Sequence, residues 1–411
     1  MGVEGKVLMV IGGGAAGFFC AVNAARLNPG LSVRILEKTG KLLSKVKVSG
    51  GGRCNVTHDA PGVPDLVKKY PRGQNLLKKS FHQFYNADTV KWFAERGVTL
   101  KTEADGRMFP NTDSSQTIID CLMQEADTHR VRIDVNTEVS RLAKQENGRW
   151  LLHLQSGNQL EADYICVCTG GYAQTEKFGW LKALGHDIAA PVPSLFTFNM
   201  PKNPVTELMG VSVQQAVVKV AGTKLQESGP LLITHWGMSG PVILRLSAWG
   251  ARVLHDMDYR FTAVVNWLPG YQEAALREDW ADIRQSMAGQ KIYQKNNFGL
   301  PQRLWQFLLQ QSGVQEDTRW ADLPAKEQNK LIKHLVAMEF PVQGKTTFKE
   351  EFVTCGGISL THVDANTMES RLQKGLYFAG EVMDVDGITG GFNFQHAWTS
   401  GWIAAQSIGK S

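Results

Sequence analysis

Five apolar residues, Val7-Leu8-Met9-Val10-Ile11, run straight into Gly12-Gly13-Gly14-Ala15-Ala16-Gly17, and this junction constrains the chain more than any other feature. It predicts a buried strand, a tight glycine turn and a helix that starts at the turn. Gly12 permits the turn, Gly14 lets the backbone approach a diphosphate, and Gly17 lets the helix pack close to its strand. The first helical amides, at Ala15 and Ala16, then face an anion together with the positive end of the helix dipole.

The residues that follow complete a nucleotide-binding unit. Ser32-Val33-Arg34-Ile35-Leu36 reads as a second strand ending at Glu37, with Lys38 next to it. Glu37 lies twenty residues beyond Gly17, the spacing at which a carboxylate accepts both hydrogen bonds of an adenosine ribose, so a ribose diol is expected rather than a 2'-phosphate. The apolar stretch after Lys6 could also be read as an export signal. Three adjacent glycines interrupt it where such a signal needs a continuous helix, so a retained N-terminus and a cytoplasmic protein are expected.

With 411 residues, 43% of them hydrophobic, the chain can bury a large core in two or three domains. The 44 basic and 39 acidic residues give a net charge of +5, which by itself reads as a mixed solvated surface and does not call for a nucleic-acid partner. Six cysteines without a CxxC or zinc spacing fit a reducing compartment, and no metal site is expected. Cys166 and Cys168 alternate along one strand and should pack on one face as small apolar groups.

Two later segments extend the nucleotide site. Val131 to Val139 reads as a strand arriving at the adenine end, with a backbone contact near Val139. A meander over 150–164, turning at Ser156-Gly157-Asn158, leads to a buried strand that ends at Thr169-Gly170, where small residues can lie against a nucleotide. Near the C-terminus, Gly375 to Glu381 repeats the logic. A strand delivers Gly380 and Glu381 toward the ribityl or pyrophosphate region, and Gly390-Gly391-Phe392-Asn393 opens a helix whose amides would face an electron-rich ring. FAD fits all three segments, whereas NAD alone leaves the last unexplained.

Ser49-Gly50-Gly51-Gly52-Arg53-Cys54-Asn55 offers a bare backbone surface, and contacts to the cofactor are expected from Gly51, Arg53, Cys54 and Asn55. Cys54 is either a thiolate partner of the flavin or a small residue that permits close approach. His235 and Ser239, in Thr234 to Pro241, are either substrate-facing groups on a strand-to-helix turn or a turn residue and a helix cap. His396, one turn into the last helix, is either a general acid or a packed histidine.

VIGGGAAG at 10–17, SGGGRCNVTH at 49–58, GPLLITHWGMSGP at 229–241 and GLYFAGEVMDVDGITGGFNFQHAWTSG at 375–401 together resemble the HI0933-like flavoproteins. These are bacterial FAD-dependent oxidoreductases, some of them labelled aminoacetone oxidases. The resemblance implies an α/β fold: a Rossmann-like two-dinucleotide-binding FAD domain, with parallel sheet and β-meander, interrupted by an inserted domain that is β-rich and then helical. It supplies no substrate. The proline-rich passage from Ala190 to Pro204 marks an exit from the first domain, giving expected boundaries of 1–190, 191–347 and 348–411. Within the insert, strands are expected over 191–269 and helices over 270–340, with Phe348 to Ser359 as the returning strand.

The expected activity is hydride exchange between flavin N5 and a small organic substrate, by amine oxidation or by reduction of an activated double bond. No second GxGxxG follows Thr169, so NAD(P)H would dock transiently in the substrate cleft. Two alternatives stand beside this. One is a flavin-dependent RNA-modifying protein using Arg72, Lys78 and Lys79 as a groove, and the other is a non-catalytic redox sensor. Oligomeric state is not read from the sequence.

Overall fold

A computed structural model describes residues 5–346 and 353–410. The chain separates into two compact units, one of residues 5–194 with 353–410, the other of 195–346.

The first unit is built on a five-stranded parallel sheet in the order Leu376–Phe378, Tyr164–Val167, Val7–Ile11, Ser32–Leu36, Arg132–Asp134. Val7–Ile11 lies near its centre and four of its five residues are buried, as a strand covered on both faces requires. Its carboxyl end, beside that of Tyr164–Val167, is where an open α/β sheet binds its ligand. The opening helix Ala15–Leu27 packs against the last helix Phe392–Ser407. Their approach is so close that a Cβ on Gly401 would stand 2.8 Å from the Ala16 carbonyl oxygen.

A three-stranded meander, Val139–Lys144, Trp150–Leu154 and Gln159–Ala162, turns through Gly157 at φ 88°. The expected single strand from Val131 to Val139 is instead two. Arg132–Asp134 joins the parallel sheet, Asn136 takes a left-handed conformation at φ 52°, and Val139 starts the meander. The proline passage begins inside a strand of this unit, Ile188–Ser194, paired antiparallel with Val353–Ile358. A register shift between Ala189 and Val192 absorbs Pro191, as expected where a proline cannot donate to a ladder. Of the expected returning strand from Phe348, the part before Val353 lies outside the described residues.

The second unit carries a seven-stranded antiparallel sheet in the order Met338–Gln343, Arg260–Asn266, Ser212–Val220, Gln226–Thr234, Gly237–Ser239, Thr197–Asn199, Lys345–Thr346. Helices Glu273–Ser286, Gln302–Ser312 and Ala325–Ala337 follow, the last two capped by Pro301 and Pro324. The tryptophans of this region are core residues, with Trp305 of the second helix and Trp320 of the turn between the last two stacked at 6.0 Å.

Candidate functional site

The glycine turn is shaped by contacts that admit no side chain. Gly12 sits at φ 116°, and a Cβ there would overlap the Cys168 carbonyl; one on Gly17 would overlap the Gly12 carbonyl. Gly14 is different. It is the N-cap of the opening helix in extended conformation, no side chain caps it, and nothing lies within 4 Å of a Cβ placed on it. Space for a ligand therefore opens at Gly14, in front of the uncapped amides that follow it at Ala15 and Ala16.

Glu37 faces this turn. Its carboxylate accepts from the Gly13 amide at 2.9 Å through Oε2, and from the Thr39 amide and hydroxyl, each at 2.9 Å, through Oε1. Both oxygens are thereby oriented while keeping lone pairs for a ribose diol. Beside it a cavity of about 500 Å³ is lined by Lys38, Glu138, Val139, Gly171, Tyr172 and Trp180, among others. Tyr172 is half-buried there, and its desolvation raises the phenol pKa; the Lys38 ammonium stands 5.6 Å from the centre of its ring. Tyr172 and Trp180 escaped the sequence reading because neither belongs to a spaced motif.

Thr169 and Gly170, at φ 73°, end the neighbouring strand, and Glu381 arrives across from them with Oε2 at 4.0 Å from a Cβ built on Gly170. Oε1 of Glu381 accepts from the Thr354 amide at 2.8 Å, and Lys45 pairs with Oε2 at 2.6 Å. This ion pair joins positions far apart in sequence, so no local pattern announced Lys45. The Thr354 hydroxyl is buried without a hydrogen-bond partner among the described residues. Gly380, at φ 75°, packs against Ala16, and Ser400 accepts its amide.

The run from Ser49 to Asn55 is a helix end with a kink. Gly50 and Gly51 take left-handed conformations, and Gly51 and Gly52 have open space where a side chain would stand. Arg53 is committed elsewhere: its guanidinium lies 4.0 Å from the Phe109 ring and pairs with Glu103 at 2.6 Å and Asp113 at 3.5 Å. Cys54 has no exposed surface and a φ of 61°; burial pushes its thiol up to about 12, opposite to what a thiolate needs.

The last glycine pair starts the helix Phe392–Ser407, with Gly391 as N-cap at φ 90°. The expectation of a bare Gly391 amide needs correction. With the Asn55 amide oriented by its neighbours, Gly391 donates to the Asn55 oxygen at 3.0 Å and the Asn55 nitrogen donates to the Thr57 carbonyl at 3.0 Å. The amides left for a ligand are those of the following residues, Phe392 and Asn393. The Asn393 side chain closes the preceding loop, accepting from the Gly387 amide at 2.8 Å and donating to its carbonyl at 3.0 Å. His58, at the end of the SGGGRCNVTH run, donates from Nδ1 to the Gly390 carbonyl at 3.1 Å and packs 4.6 Å from Phe392, with burial lowering its pKa.

His396 is fully enclosed; its Nε2 donates to the Gly380 carbonyl at 3.2 Å, and burial lowers its pKa to about 4. His235 lies in the second unit and is exposed at the tip of a hairpin between Gln226–Thr234 and Gly237–Ser239. The strand-to-helix turn expected there is therefore a β-hairpin. Ser239 belongs to its second strand and does not cap the next helix, whose N-cap is Gly240 without a side-chain bond. Cys166 and Cys168 share a face with their sulfurs 3.4 Å apart, both buried. Among the described residues no group of His, Cys, Asp and Glu could hold a metal ion, and no helix is long and apolar enough to cross a membrane.

The profile of the HI0933-like protein Rossmann domain matches residues 6–407. The chain is 31% identical over 97% of both chains to the ribosomal RNA dihydrouridine synthase of Escherichia coli K12. It is 27% identical, over 98% of both, to the 3-dehydro-bile acid delta(4,6)-reductase of Clostridium scindens. Among solved structures, the open conformation of a flavocytochrome c3 fumarate reductase shares the fold, with a TM-score of 0.51 at 16% identity over 98% of this chain and 78% of that one. A family match across nearly the whole length, joined to an α/β unit with a dinucleotide-shaped glycine turn, establishes that the chain belongs to the HI0933-like family of FAD-dependent oxidoreductases.

Proposed function

We propose that this flavoenzyme reduces a carbon–carbon double bond conjugated to a carbonyl, and that the substrate is a uracil ring in ribosomal RNA. The observation that carries the reading is the end-to-end likeness to a ribosomal RNA dihydrouridine synthase, at 31% identity with neither chain left uncovered by more than a few residues in a hundred. Dihydrouridine is uridine with its conjugated ring double bond saturated, so the product named for that relative supports this reaction type. The bile acid relative, by its name, reduces double bonds conjugated to a 3-oxo group, and the two substrates share that chemistry. A small-molecule enone is therefore the second reading.

Bound FAD would supply hydride chemistry at N5, with NAD(P)H as the electron donor. The chain's own part is binding and electrostatics. Gly12, Gly14, Ala15, Ala16 and Gly17 would hold the diphosphate, Glu37 the ribose, and the cavity beside Lys38, Val139 and Tyr172 the adenine. Thr169, Gly170 and the Lys45–Glu381 pair would face the ribityl chain. Gly51, Cys54, Asn55 and Gly390 to Asn393 would form the wall against the ring, with the helix-start amides lowering the cost of negative charge there. Cys54 acts in this reading as a small buried group, and His396 as a packed one.

The test is anaerobic. The FAD-loaded enzyme is reduced with NADH or NADPH, then mixed with deproteinised ribosomal RNA or with a panel of cyclic enones, and flavin reoxidation is followed by absorption. The expected outcome is reoxidation by RNA with dihydrouridine found by mass spectrometry of the digested nucleosides. Reoxidation by enones alone selects the second reading, and reoxidation by neither removes the proposal.

A further inference from the structure

The stretch 66–87 holds Lys68, Lys69, Arg72, Lys78 and Lys79 and not one Asp or Glu, so its charge of +5 equals that of the entire chain. The other 389 residues sum to zero, although 38–58 among them also carries five basic residues and no Asp or Glu. Such asymmetry is the electrostatic signature of a polyanion partner when it lies on one exposed face. Lys69, Lys78 and Lys79 are exposed and form no ion pair among the described residues, while Lys68 is 73% exposed and has only Asp65 at 3.3 Å. Arg72 is not one of these exposed cations. Its guanidinium is 12% exposed and bound to the buried Asp386, which corrects the expectation that it lines a groove.

What gives the lysines a function is where their segment is fastened. The Lys69 carbonyl accepts the Ile388 amide at 3.0 Å, Tyr70 donates its hydroxyl to the Phe392 carbonyl at 2.6 Å, and a Cβ on Gly73 would press into Val385 at 2.6 Å. Arg72 and Asp386 add a backbone bridge to their ion pair. The basic segment is thus stitched along the loop 385–392, the same loop whose Gly390 to Asn393 end would wall the flavin ring. Phosphates held by these lysines would keep a nucleic-acid strand beside the reacting end of the site.

We propose that Lys68, Lys69, Lys78 and Lys79 form a phosphate-binding strip that docks the backbone of the RNA substrate next to the flavin-side loop. This rests on the ribosomal RNA reading. Phosphate contacts of this kind position a strand without reading its sequence, so the strip sets affinity and salt dependence while the choice of base is made elsewhere. The neighbouring carboxylates, exposed Asp59 and half-buried Asp65, stand at its margin and limit it on that side.

The experiment measures binding of deproteinised ribosomal RNA to the FAD-loaded protein over a salt series, for wild type and for the triple variant Lys69→Glu/Lys78→Glu/Lys79→Glu. Each released phosphate contact removes about 0.7 from the slope of log K against log salt on a single strand. The triple variant is expected to lose about 2 from that slope and to bind at least about tenfold more weakly near physiological salt, with its flavin absorption unchanged. A triple Lys→Gln variant guards against misfolding, and Lys224→Glu/Lys326→Glu/Lys330→Glu, on the other unit, controls for net charge. If wild type binds RNA and the triple variants match it in slope, the strip is refuted while the RNA reading stands. If wild type holds no RNA even at low salt, both fall.

Discussion

Asp386 has no exposed surface, yet it meets Arg72 through both carboxylate oxygens and accepts the Ser194 hydroxyl at 2.8 Å. Burial raises its pKa, and Arg72 and Ser194 oppose that rise. Removing one partner of such a pair strands a charge out of water, so Arg72→Ala is expected to cost about 3–5 kcal/mol in urea unfolding, and Arg72→Ala/Asp386→Ala together less than the single change. His396 yields a pH prediction. Its ring titrates near 4 in the fold against about 6.5 unfolded, so the folded chain binds fewer protons between those values. The stability contributed by the neutral ring is whole above about pH 6.5 and lost as pH falls toward 4. A loss of about 3 kcal/mol over that window is expected from this group, and His396→Gln should flatten it. At this scale the sequence spoke where spacing brings two positions together, as it places Glu37 against the glycine turn, where it accepts from the Gly13 amide. It was silent on Arg72 and Asp386, 314 positions apart, because nothing local marks a pair that only the fold brings together.

In the proposed coenzyme site the glycine turn would separate ligand contact from packing within one helix start. Gly14 has an extended backbone and no protein atom within 4 Å of a Cβ, so Gly14→Val is expected to leave the apo protein's melting temperature unchanged while weakening FAD binding about a hundredfold or more. Gly17→Ala must collide with the Gly12 carbonyl and should destabilise the apo protein itself, by about 2 kcal/mol or more. Flavin titration by fluorescence quenching, paired with thermal unfolding without FAD, reads the two effects apart; equal loss of stability in both variants would show Gly14 to be a packing residue as well. Elements that carry a period or a glycine signal, such as Val7–Ile11, Ser32–Leu36 and the meander around Gly157, were legible in advance. The hairpin at His235 and the break at Asn136 were not. At Asn136 strand-like residues stand on both sides of the break, and at His235 the two glycines suit a hairpin as well as a strand-to-helix turn; the chain turns because strands distant in sequence claim either half.

At the scale of the molecule, the insertion was legible from the change of pattern after the prolines, and the identity of the sheet partners was not, since Lys345–Thr346 pairs with Thr197 and Phe198 across the whole insert. That pairing brings the ends of 195–346 together. The segment also owns a complete core: Phe196, Val218, Ile233, Leu246, Trp305 and Phe340, among others, are buried in one cluster drawn from within it. A segment with adjacent ends and its own core meets the physical conditions for independent folding. Residues 195–346, expressed alone, are expected to unfold cooperatively in urea and to show near-ultraviolet circular dichroism from six tryptophans, four of which, Trp267, Trp280, Trp305 and Trp320, are at most 1% exposed. The same segment should take up no FAD, because every residue assigned to the coenzyme lies in the other unit. A flat near-ultraviolet spectrum with non-cooperative unfolding would show that this core depends on the rest of the chain, and flavin uptake by the segment would displace the coenzyme site from the glycine turn.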